Sequence, residues 1–140
     1  MAHTADEYLE TRVLTARPEE LHLMVVDGAV RHATRAEAAL REQDFETAHF
    51  SLNRAREFTV ELIAGLKSEQ APELVAELKR LFGFVYRGLN EADLYRDVEK
   101  VRGAVKVLRL HQDTWRQLLQ ERKDAAVAAV PESTGDSWTT

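Results

Sequence analysis

Only three prolines interrupt the 140 residues, at 18, 72 and 131, and no two of the six glycines are adjacent. A chain so poor in breakers lacks the frequent turns of a sheet protein and predicts long helices. Pro18 suits a first helical position, where its missing N–H is no loss, and Glu19 and Glu20 favour the positive end of the helix dipole. Apolar residues then recur with the helical period to about residue 42. Arg17 is a poor capper for this helix, and Thr15 is expected to help. Asp44 caps a second helix, striped by Phe45, Ala48, Leu52, Ala55, Leu62 and Leu66. KSEQA breaks the pattern, and Pro72 opens a third helix with Val75, Leu78, Phe82, Val85, Leu89 and Ala92 on one face. Asp97 caps a fourth, striped by Val98, Val101, Val105, Leu108, Trp115 and Leu119.

Four helices of roughly 22–25 residues joined by short loops pack as antiparallel neighbours. The predicted fold is therefore all-α, an antiparallel up-down-up-down four-helix bundle over residues 15–120. Trp115 continues the buried stripe of the fourth helix and is expected in the core near Leu108 and Leu119. Residues 1–14 form an extended N-terminal segment, polar but carrying Tyr8, Leu9, Val13 and Leu14. Residues 121–140 lose all period and predict a disordered tail.

The chain has no cysteine, which removes disulfides, thiol catalysis and cysteine-based zinc sites together. A net charge of −5 with no strongly basic stripe disfavours a nucleic-acid partner. The acidic start MAHTADEYLE lacks the basic flank and apolar run of a signal peptide, and no apolar run reaches the ~18–20 residues of a membrane span. A cytoplasmic protein is expected.

A four-helix bundle invites a search for a carboxylate-bridged metal site, and two Glu-x-x-His pairs occur, Glu19/His22 and Glu46/His49. Each lies in the first turn of its helix, and antiparallel packing sends those turns to opposite ends of the bundle. They read as solvated end-of-helix groups, and His111 as a half-buried structural histidine. No metal or other cofactor is expected. Gly83, Gly88 and Gly103 lie singly inside helical patterns, for which close helix approach is the usual reason. No nucleophile motif and no phosphate loop appears, so the chain is not read as an enzyme. Arg102, Lys106 and Arg109 line one side of the fourth helix. Such a row is ordinarily a solvated face; an acidic partner is the sharper alternative.

The first helix is more apolar than one buried face requires. One stripe contains Leu21, Met24, Val25, Gly28 and His32; another contains Leu23, Val26, Val30 and Ala33. Either the helix is deeply packed, or the second stripe forms an exterior groove for another apolar segment.

The order Tyr8, Val13, Thr15, Ala16, Pro18, Glu20, Leu21, Met24 and Gly28 resembles the FliS family, flagellin-specific export chaperones. The resemblance continues through Asp44, Leu52, Ala55, Glu61 and Leu62, then Phe82-x-Phe84-x-Tyr86-Arg87-x-Leu89-x-x-Ala92, and Asp113-x-Trp115. Departures include Val25-Val26 where Leu-Tyr is usual, and Asp93 where asparagine is usual. The resemblance implies a non-enzymatic antiparallel bundle that holds the disordered C-terminal segment of flagellin, prevents its premature polymerisation and keeps it competent for flagellar type III secretion. It also suggests contact with the export gate at the membrane. It implies that the N-terminal segment covers the groove when flagellin is absent, so the expected partner-binding residues are Tyr8, Leu9, Val13, Leu14, Leu23, Val26 and Val30. The alternative is a structural or adaptor bundle that self-associates through the same apolar surface when free.

Overall fold

Capping and turn chemistry set the helix bounds. The computed structural model describes residues 16–129 apart from Ser68 and Gln70, together with Glu7. Helix α1 spans Pro18–Arg41, α2 Phe45–Ala64, α3 Pro72–Tyr95 and α4 Val98–Ala128, and no strand occurs among the described residues. Arg17 makes no side-chain cap on α1, and Thr15 lies outside the described residues. Asp44 accepts from the Thr47 N–H at 3.2 Å, and Asp97 from the Glu99 N–H at 3.0 Å, so both expected caps form. Gln43 (φ 60°) and Arg96 (φ 52°) take the left-handed conformation in the two tight turns. Arg96 offsets that cost by holding its guanidinium 4.0 Å over the Phe45 ring.

The helices pack in a ring, α1 against α2 and α4, and α3 against the same two. With short connections this is the expected antiparallel up-down-up-down bundle. Its core takes Val26, Ala29 and Ala33 from α1, Leu52 and Ala55 from α2, Phe82, Val85 and Leu89 from α3, and Val101 and Leu108 from α4. Burying each of the larger side chains contributes roughly 1.5–3 kcal/mol. The small residues of α1 admit a neighbour closely, and the Phe58 ring of α2 lies where a Cβ on Gly28 would stand.

The expected boundary at residue 120 is moved by the structure. Helix α4 runs to Ala128, so its 31 residues extend about 46 Å while α1 and α3 reach about 36 Å. The last turns project past the bundle with residues 120–129 exposed. Local propensity sustains them: the alanines and charged residues of ERKDAAVAA are helix formers that need no buried face. The remainder of the expected tail, and the expected N-terminal segment apart from exposed Glu7, lie outside the described residues. No helix of the described residues is long and apolar enough to cross a membrane.

Candidate functional site

Both stripes of α1 are packed, and the second, the candidate exterior groove, faces the core. His22, Val26, Ala29 and Ala33 share one face by helical phase, and His22 reaches Phe82 on the diagonal helix α3 and His111 on the neighbouring α4. That face therefore points into the bundle: Val26 is 0% exposed, Val30 9% and Ala33 0%. Val26 and Val30 have no surface to offer a partner in this state, and Leu23 is half-buried beside them. The other stripe turns toward α2, where His32 stacks on Phe58 at 5.5 Å. The surplus of apolar residues in α1 is thus explained by a helix packed between two neighbours on a wide arc.

The base of the bundle holds a group of aromatic and imidazole rings. His22 and His111 meet through their Nε2 atoms at 2.8 Å, one ring N–H donating to the lone pair of the other. Trp115 lies 4.5 Å from the His22 ring and donates its indole N–H to the Glu19 carbonyl at 2.9 Å. Burial, reinforced by the neighbouring His111, lowers the His22 pKa to about 4, and burial lowers that of His111. A solvated role for His22 is therefore corrected, and Trp115 proves partly rather than fully buried, latching α4 to the first turn of α1. Periodicity missed this group because it joins residues 89 and 96 positions apart. The other Glu-x-x-His pair behaves differently. His49 is exposed and donates from Nδ1 to Asp93 at 2.8 Å, and Arg56 donates to the same carboxylate at 2.8 Å. Burial would raise the Asp93 pKa, but the His49 and Arg56 hydrogen bonds outweigh it and hold it below the usual carboxylate value.

Most of the exposed large apolar side chains lie on or beside α3, on the side away from α1, while Phe50 of α2 and Val127 at the end of α4 are exposed elsewhere. Phe84 is 51% exposed, Tyr86 37%, Leu94 68% and Tyr95 70%. Toward α4, Phe84 and Gly88 face Gly103 across a groove of ≈ 410 Å³ edged by Arg87, Glu91, Glu99 and Lys100. Leu110, 69% exposed, lies two helical turns beyond Gly103 on the same side of α4. Gly88 permits a close approach, because a Cβ there would stand 3.3 Å from the Lys100 carbonyl oxygen. Gly103 does not: a Cβ there meets nothing within 4 Å, and at Gly83 only the end of Arg87, so the expectation of close approach holds at one of three glycines. Toward α2, Tyr86 joins Val60, Ile63 and Ala64 in a second, almost wholly apolar depression. The signal was present in the sequence, since Phe84, Tyr86, Leu94 and Tyr95 all lie off the stripe that faces the core.

A family model described as flagellar protein FliS matches residues 1–122. The chain belongs to the FliS family. Among its curated relatives, the flagellar secretion chaperone FliS of Bacillus subtilis (strain 168) is 32% identical over 121 residues, covering 84% of this chain and 87% of the relative. The flagellar secretion chaperone FliS of Salmonella typhimurium is 28% identical over 111 residues, 79% of this chain and 82% of the relative. A crystal structure of a flagellar chaperone from bacteria shares the fold of this FliS chain, with a TM-score of 0.69 at 17% identity over 86% of this chain and 98% of that one. The relatives are chaperones, and this FliS protein is not an enzyme.

Proposed function

We propose that this FliS protein is a cytoplasmic flagellar secretion chaperone that binds the C-terminal segment of flagellin and keeps it from polymerising before export. The observation that carries the proposal is the pair of grooves flanking α3, with exposed Phe84 on the α4 side and Tyr86 on the α2 side, together with exposed Leu94, Tyr95 and, on α4, Leu110. An amphipathic segment laid into the α3/α4 and α2/α3 grooves covers these side chains and its own apolar face together. The work is done by binding alone: the client's sticky face is sequestered while its chain stays unfolded enough to be threaded. Tyr8, Leu9, Val13 and Leu14 act as a displaceable cover for the client site, and half-buried Leu23 is a further partner contact. Contact with the export gate follows from delivery of the client there.

Co-purification with a flagellin C-terminal fragment tests the reading. A one-to-one complex whose formation protects α3 amides from hydrogen exchange is expected. A chain that ignores the fragment and instead self-associates through α3 would replace the proposal with the adaptor reading.

A further inference from the structure

The side of the bundle formed by α1 and α4 has a different chemistry from the apolar side around α3. Arg31 and Arg35 stand exposed one turn apart on α1, and Arg102, Lys106 and Arg109 stand exposed in successive turns of α4. The two rows adjoin, because Arg109 reaches Thr34, which lies between Arg31 and Arg35 in sequence, at 3.4 Å. Among the described residues no carboxylate pairs with Arg31, Arg35, Lys106 or Arg109, and Arg102 has only Glu99 at 3.7 Å. Arg116 is tied to Asp27, and Arg41 to Glu37. This is a concentration of positive charge on a chain whose net charge is −5.

We propose that the outward face of α1 and α4 is a second docking site, separate from the client grooves, for an acidic segment of a protein partner. Two features select that chemistry. Four of the five cations are arginines, whose planar forks pair with carboxylates through two bonds at once, where lysine offers a point charge. Exposed Asp113 and Glu99 interrupt the row, which a protein segment accommodates with its own donors but a continuous polyanion such as a nucleic acid or an anionic bilayer does not. The α1 edge of the face, Arg31 and Arg35, lies away from α3, and only its Lys106 edge approaches Leu110, so a chaperone loaded with client retains it for a second contact.

The test is titration of the full ¹⁵N-labelled chain with a short poly-L-glutamate peptide, with phosphatidylglycerol vesicles and duplex DNA as comparisons. Overall negative charge repels all three, so any binding reports a local site. The expected result is shift changes confined to residues around 31–35 and 102–109, with affinity falling roughly tenfold from low to physiological salt. R31E/R109E should weaken peptide binding at least tenfold while leaving the thermal midpoint and flagellin-fragment binding unchanged, and R31Q/R109Q should weaken it less. Shift changes centred elsewhere, or peptide binding that survives charge reversal, would overturn the site. Tighter binding of vesicles or DNA than of peptide would overturn the partner class. Loss of fragment binding in R31E/R109E, with peptide binding also lost, would overturn the separateness of the two sites, whereas failure of the unmodified chain to bind the fragment bears only on the client reading.

Discussion

At Gly28 and Gly103 the same residue type does opposite things. A Cβ at Gly28 would stand 2.7 Å from the Phe58 ring, which is itself stacked on His32 and cannot simply turn away. Gly28→Ala should therefore destabilise the fold by roughly 1–3 kcal/mol, the usual cost of overpacking, as read in urea melts. Gly103→Ala meets open space, so helix propensity alone decides, and the variant should gain up to about 1 kcal/mol. The same substitution partly fills the α3/α4 groove, and client affinity should fall as stability rises. Trp115→Ala should cost less than the ~3–5 kcal/mol of a fully buried aromatic, because the ring is partly exposed. What it removes in addition is the latch on the Glu19 carbonyl, so hydrogen exchange in the first turn of α1 should accelerate beyond the global change.

At the scale of the elements, the junction of α1 with α4 is set by imidazoles that must stay neutral. The His22 pKa falls from 6.5 to about 4 on folding, so between those values the unfolded chain binds a proton that the folded chain does not. Stability from this group is complete above pH 6.5 and is lost as pH falls toward 4. His111 and His32, also lowered by burial, act in the same direction. The thermal midpoint should drop across this window, and the drop should be shallower in His22→Gln, measured by calorimetry at matched ionic strength. The free end of α4 is a contrasting case. Residues 121–129 are exposed, and among the described residues the solvent-facing Arg122–Glu19 pair at 3.5 Å ties them to the start of α1, beside a depression that Lys123, Ala126 and Val127 also line. Truncation after Gln120 should cost under about 1 kcal/mol, since pairs of this kind contribute little. A loss of several kcal/mol would mean that the projecting helix is docked.

For the whole molecule, what matters is that stability and binding reside on different surfaces. Val26, Leu52, Phe82 and Leu108 hold the four helices together from inside, while Phe84 and Leu110 are more than half exposed. Phe84→Glu and Leu110→Glu should leave the melting transition within about 0.5 kcal/mol of the parent, as surface changes ordinarily do. Each should weaken flagellin-fragment binding at least tenfold, as read by titration calorimetry. Unchanged affinity in the double variant would remove the α3/α4 groove from the client site.

Sequence by itself determined the helices, their order and their antiparallel course. Those features rest on local signals: Pro18 and Pro72 at helix starts, Asp44 and Asp97 as caps, and a hydrophobic period that survives whatever the neighbours do. Only the tertiary structure decided which of two apolar stripes on α1 faces inward, because amphipathic phase gives a direction on one helix and not the position of the others. The same holds for the meeting of His22, His111 and Trp115, which no local pattern connects. It holds for the grooves as well. Surplus apolar residues on α3 were visible as surplus, but whether Phe84 is covered depends on how closely α4 approaches, and Gly88 and Gly103, alike in sequence, differ in what stands opposite their missing Cβ.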